Sequence, residues 1–131
     1  MTERPDPDPD RDNATQPVVE LVGRAVTVRP IGEIDIHTAR AFRSALTDAL
    51  ALVGASRADR IVTDCSQVTF CDSSGLNALI AARLAAVEAN AVIHLASPAP
   101  QLQRLLQMTG AESLFPREDE LLPDSRPPAG G

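Results

Sequence analysis

The side chains able to do chemistry in this chain are few, and most of them meet at one place. Asp72-Ser73-Ser74-Gly75 sets two hydroxyls beside a carboxylate at the point where apolar residues begin to recur with helical spacing. Elsewhere there are two histidines, His37 and His94, and two cysteines, Cys65 and Cys71. A nucleophilic serine needs a base within hydrogen-bond reach and an oxyanion hole. G-x-S-x-G is absent, His94 lies inside an apolar run, and His37 reads as an exposed first-turn residue. A serine hydrolase using Ser73 or Ser74 with His37 or His94 is therefore the weaker reading, and no catalytic residue is expected. The cysteines lack C-x-x-C spacing and read as buried free thiols, and no metal ligand set stands out.

The remaining chemistry at Asp72-Ser73-Ser74-Gly75 is capping or modification. Asp and Ser ahead of a helix accept hydrogen bonds from its orphan N–H groups, and this is the commonest reason to find them there. The same helix end stabilises added negative charge by about 0.3–1 kcal/mol, so a phosphate on Ser73 is compatible with the fold. Phosphorylation adds about −1.5 to −2 charges. Next to Asp72 that changes what binds there, and a loss of about 4 kcal/mol is a thousandfold in affinity. Ser74 reads as a first-turn helical residue, and Gly75 as a position that relieves crowding.

These residues need elements to hold them. Val18 to Leu21 and Ala25 to Arg29 read as strands about the turn Val22-Gly23-Arg24, an antiparallel hairpin. After a loop over Pro30 to Asp35, Phe42, Leu46, Leu50 and Val53 mark an amphipathic helix that ends at Gly54. Ile61 to Cys65 reads as a strand, followed by a loop through Phe70. Leu76, Leu79, Ile80, Leu84 and Val87 then mark a second helix capped near Asn90. Ala91 to Leu95 is a third buried type of strand. Ser97 as N-cap and Pro98 at the first position predict a third helix, with Leu102, Leu105 and Leu106 inward and Gly110 as its stop. Alternating strands and helices imply an α/β fold. Its small mixed β-sheet joins the opening antiparallel hairpin to parallel strands and packs with three to four α-helices.

Composition narrows the partners. Twelve basic residues, all Arg, against eighteen acidic ones leave a net charge of −6, and no Arg cluster or stacking aromatic pair appears, so no nucleic-acid partner is expected. No apolar run approaches the roughly 18 residues that span a bilayer, so no membrane partner is expected and the location is read as cytoplasmic. With aromatics at only 2 %, Ala, Leu, Val and Ile must build the core. Residues 1–16, rich in Asp and Pro, and residues 123–131, rich in Pro and Gly, read as disordered tails around one domain at 17–122.

Ile61-Val62-Thr63-Asp64, then Val68-Thr69-Phe70-Cys71-Asp72-Ser73-Ser74-Gly75-Leu76, resembles the signature of STAS-domain anti-sigma factor antagonists. Gly32-Glu33-Ile34-Asp35 upstream, with Ser97-Pro98 and Thr109-Gly110 downstream, extends the resemblance over nearly all of Val18 to Phe115. The resemblance implies a STAS fold and a partner switch. In it, Ser73 is phosphorylated by an anti-sigma factor, a serine kinase with a histidine-kinase-like ATPase fold, and a serine phosphatase resets it. The unphosphorylated chain then captures the kinase and frees a sigma factor. ATP and Mg²⁺ belong to the kinase, so the chain needs no cofactor of its own. Asp35, Asp72, Ser74 and Gly75 are implied as the switch loop and partner-binding residues around Ser73. Within the same fold, the alternative role is a scaffold or binding module in a complex without a sigma factor. The chain departs from the family in the short Glu118 to Leu122 segment where a fuller final helix is usual. It departs again at Cys71, where an aliphatic residue is common and a thiol raises the question of oxidation.

Overall fold

The computed structural model describes residues 16–117. Its chain opens with strands β1 (Val18–Val22) and β2 (Ala25–Arg29), paired antiparallel from Val18↔Arg29 to Val22↔Ala25. The two-residue connection works because Gly23 adopts φ +61°, a conformation that costs glycine nothing. β4 (Arg60–Asp64) pairs parallel with β2, and β6 (Val92–Ala96) pairs parallel with β4, giving a mixed four-stranded sheet in the order β1-β2-β4-β6. Along β2, Val26 and Val28 face the core while Thr27 and Arg29 are half-buried, the period-two alternation of a sheet covered on one face.

Two further strands correct the expected loops. β3 (Gly32–Ile34) and β5 (Val68–Cys71) pair parallel as a separate two-stranded sheet. Segments of three and four residues are too short to show an alternation, and the left-handed Gly32, at φ +85° beside a register shift, interrupts what pattern there is.

Helix α1 (Ala39–Gly54) and helix α2 (Ser73–Glu88) pack side by side, α1 against β2 and α2 against β6. Their buried faces carry Phe42, Leu46 and Val53 on α1 and Leu76 and Leu79 on α2. Small residues lie between these, Ala45 and Ala49 on one helix and Ala78, Ala82 and Ala86 on the other, and small contact residues let helix axes approach. Leu84 and Val87, expected on the inward face of α2, are 61 % and 53 % exposed. The helix is apolar nearly all round, so hydrophobic spacing alone does not select its buried side. Asn90, at φ +60°, follows the last turn in the left-handed position of a helix stop.

Helix α3 (Pro100–Thr109) starts later than expected. Its N-cap is Ala99 and its first residue is Pro100, whereas Ser97 sits at φ +54° ahead of it. The second proline decides the start, because a residue before proline is held extended, as Ala99 is at φ −67°, ψ 161°. Gly110, at φ +77°, ends α3, and a 3₁₀ turn over Ala111–Leu114 follows. Three α-helices and this turn are thus the helical elements among the described residues. The chain then returns to the sheet, where Leu95 N–H donates to Pro116 O at 2.9 Å. Residues 1–15 of the expected first tail, the expected second tail, the far limit of the 17–122 domain and the short Glu118 to Leu122 segment lie outside the described residues.

Candidate functional site

β3 and β5 bring the predicted residues together. Their register runs Glu33↔Phe70 and Ile34↔Cys71, so Asp35 and Asp72, each one residue past the last pair, leave the strand ends side by side. Parallel neighbours lie about 4.8 Å apart, and Asp72 N–H donates to Ile34 O at 3.0 Å to close the pair.

From there the chain turns into α2, and Asp72 is the residue that caps it. Its backbone is extended at φ −101°, ψ −169°, and its Oδ1 accepts from Ser74 N–H at 2.8 Å and Gly75 N–H at 3.4 Å. The carboxylate therefore takes the orphan donors, and Ser73, the first helical residue, is left exposed with its hydroxyl outside the cap. Ser74 is half-buried, consistent with a first-turn residue.

Asp35 is engaged in its own turn. Its Oδ1 accepts from His37 N–H at 2.9 Å and Thr38 N–H at 3.2 Å, and the Thr38 hydroxyl lies 3.3 Å away. Loss of solvent pushes the Asp35 carboxyl up, but the hydrogen bonds from His37 and Thr38 and the nearby His37 charge outweigh it and hold the group below the usual range. The two aspartates thus leave adjacent strand ends, Asp72 with its carboxylate on the start of α2 and Asp35 with its carboxylate on the turn that leads into α1.

Gly75 is buried. A Cβ there would lie 2.6 Å from Cys71 Sγ and 2.6 Å from Ile34 Cγ2, so its bare backbone is what allows α2 to sit on the ends of β5 and β3. Packing within the chain is thus a sufficient reason for a glycine at this position.

Sequence reasoning missed Gln101. Its Oε1 accepts from Cys71 N–H at 2.9 Å and its Nε2 donates to Cys71 O at 2.8 Å, so one carboxamide satisfies both backbone groups on the free edge of β5, two residues before Ser73. A glutamine in the first turn of a helix carries no signal of this, because its partners are backbone atoms thirty residues away.

The other reactive groups are placed elsewhere. Cys71 is 0 % exposed, and burial, with the Asp72 charge, pushes its thiol up to about 12. The thiolate is the form that oxidises readily, so this buried neutral thiol is poorly suited to a redox role. Burial, then Cys71 and Asp64, pushes Cys65 to about 12 as well. His94 is buried mid-strand in β6 opposite Val62, and His37 is exposed beside Asp35. No group of three or more His, Cys, Asp or Glu among the described residues could hold a metal ion, and no helix among them is long and apolar enough to cross a membrane.

The same arrangement of elements is found in solved proteins. An anti-sigma factor antagonist from Mycobacterium paratuberculosis shares 29 % identity with the chain at a TM-score of 0.68, covering 81 % of this chain and 90 % of that one. The antagonist SpoIIAA in its unphosphorylated form shares 22 % at 0.66, covering 84 % and 96 %. SpoIIAA of Bacillus in its phosphorylated form shares 19 % at 0.61, covering 84 % and 99 %. No curated protein sequence matches the chain significantly. The STAS domain family model matches residues 16–122, which take in both sheets, all three helices and the Asp72 to Gly75 cap, and the chain accordingly belongs to the STAS domain family.

Proposed function

We propose that the chain is an anti-sigma factor antagonist that switches partners through Ser73. Unphosphorylated, it binds an anti-sigma factor that is a serine kinase of histidine-kinase-like ATPase fold, and a sigma factor is released. The kinase brings ATP and Mg²⁺. Ser73 Oγ attacks the γ-phosphorus, an O–P bond forms as the bond to ADP breaks, and the hydroxyl proton passes to a base on the kinase. A serine phosphatase hydrolyses the ester and resets the switch. The chain is substrate and ligand in this cycle, with no turnover of its own.

The observation that carries this reading is the division of labour at the start of α2. Asp72 does the capping through Ser74 and Gly75 N–H, which leaves the Ser73 hydroxyl exposed and available. A serine present only to cap would have its oxygen turned onto those donors. The phosphate would stand at a helix N-terminus, where the macrodipole favours negative charge, so the fold tolerates it. The partner surface does not: about −1.5 to −2 charges join Asp72 at the start of α2, with Asp35 on the neighbouring strand end. Burying that cluster against groups arranged for a neutral hydroxyl costs several kcal/mol. That SpoIIAA has been solved in unphosphorylated and phosphorylated forms, both alignable with this chain, agrees with a modification that leaves the architecture standing.

A capture experiment tests the reading. Immobilised unphosphorylated protein, incubated with host extract and ADP, is expected to retain an ATPase of the kinase class, and the Ser73→Asp protein is expected to lose it. Equal retention by both proteins would contradict the switch.

A further inference from the structure

The helix that starts at Ser73 differs from α1 in what it shows to solvent. The outward side of α1 carries Arg40, Arg43, Thr47 and Asp48, the usual charged face of a helix packed on one side. On α2 the outward positions are Ser73, Asn77, Ala81, Leu84, Ala85 and Val87, with Ile80 half-buried among them. Leu84 is 61 % and Val87 53 % exposed, and the first outward charge is Glu88 at the last helical residue. Arg83, on the flank, is drawn away, its Nε donating to Leu114 O at 3.1 Å. Ser73, Asn77, Ile80, Leu84 and Val87 are spaced four, three, four and three apart, which is one continuous line along a helix.

Size and position indicate what covers this line. From Ser73 to Val87 it runs about 21 Å at 1.5 Å per residue, and a helix presents a strip about 10 Å wide, giving roughly 200 Å². A lasting homodimer needs about 800 Å² from each partner, so the strip matches one part of a transient contact better than a permanent self-association. Its N-terminal end is the hydroxyl that a kinase must take into its active site. An enzyme holding Ser73 is already against this helix. Ile36, 74 % exposed, follows Asp35 directly after the strand end that pairs with the one leading to Ser73, and adds an apolar side chain to that end of the fold.

We infer that the outward face of α2, from Asn77 to Val87, is the docking strip for the kinase that phosphorylates Ser73. It receives an apolar groove on that enzyme, which becomes cationic where it meets Asp35 and Asp72. This inference rests on Ser73 being the acceptor. Leu84 is eleven residues from Ser73, about 16 Å along the helix, so the strip contributes to binding and not to the transfer step.

The test uses the full-length chain, the kinase recovered by capture, ATP and Mg²⁺, with initial phosphorylation rates measured against substrate concentration. Leu84→Glu is expected to raise KM tenfold or more with kcat within twofold. Val87→Glu should act in the same direction, and the control Arg43→Glu on α1 should leave both unchanged. Leu84 and Val87 are exposed, so thermal unfolding should stay at the wild-type midpoint. An unchanged KM for Leu84→Glu, with the wild type phosphorylated normally, overturns the docking strip and leaves the acceptor assignment standing. Failure of the wild type to be phosphorylated overturns both. A wild-type dimer that Leu84→Glu dissociates in sedimentation assigns the face to a second copy and also overturns the inference.

Discussion

Gly75→Ala tests the packing that holds Ser73 in place. The added Cβ lands 2.6 Å from Cys71 Sγ and 2.6 Å from Ile34 Cγ2, well inside van der Waals contact. Neither atom can swing aside into solvent, since Cys71 is 0 % and Ile34 3 % exposed. Overpacking of this kind costs about 1–3 kcal/mol, and two fixed clashes place this site in the upper half of that range. Alanine returns up to about 1 kcal/mol through its better helix propensity, leaving a net loss of about 1–2 kcal/mol. For a domain of this size each kcal/mol moves Tm by about 4–8 °C, so a fall of about 5–15 °C is expected. Urea denaturation should show the midpoint moving with m unchanged, the mark of a change in stability and not in the unfolded ensemble. Adding Cys71→Ala removes one of the two clashes and should restore part of the loss. A Gly75→Ala protein as stable as the wild type, or more so, refutes the idea that α2 is seated on the strand ends through that glycine.

Three further outcomes follow from the same geometry. Asp72→Ala should cost about 0.5–2 kcal/mol by loss of the cap, while Ser73→Ala should stay within about 0.5 kcal/mol of wild type because its hydroxyl takes no part in capping; thermal or urea unfolding separates them. Gln101→Ala strips both backbone groups of Cys71 of their partner, and each buried unsatisfied group costs about 1–3 kcal/mol, with faster hydrogen exchange at the Cys71 amide as the local readout. Both thiols are held at about 12 from an ordinary value of 9.0. The folded chain keeps protons that the unfolded chain releases, so stability should be intact below pH 9 and decline as pH rises from 9 towards 12. Unfolding midpoints measured across that window should fall less steeply in Cys65→Ala and Cys71→Ala proteins.

Much of this architecture is legible in the residues, and the exceptions have physical causes. Gly23 between β-branched runs announces the hairpin, and the charged and apolar faces of α1 separate cleanly. The start of α2 is marked by Asp72-Ser73-Ser74-Gly75, but which oxygen caps it is settled only by the backbone, which turns Asp72 and not Ser73 onto the free N–H groups. β3 and β5 escape notice because three or four residues carry no period, although their pairing is what brings Asp35 to Asp72. Apolar spacing does not find the inward side of α2, because alanines line much of the buried side while the larger Leu84 and Val87 lie on the outer one. Gln101 and the crowding at Gly75 depend on contacts between distant segments, which no local pattern encodes.

The central claim is that the exposed hydroxyl of Ser73 is the phosphate acceptor of a partner switch. Incubating the full-length chain with the captured kinase, ATP and Mg²⁺, and mapping phosphate by mass spectrometry, tests it most directly. One phosphate on Ser73, abolished in Ser73→Ala and accompanied by release of the kinase, is the expected result. A phosphate placed on Ser74 alone, or none at all on a chain that still binds the kinase, would contradict it.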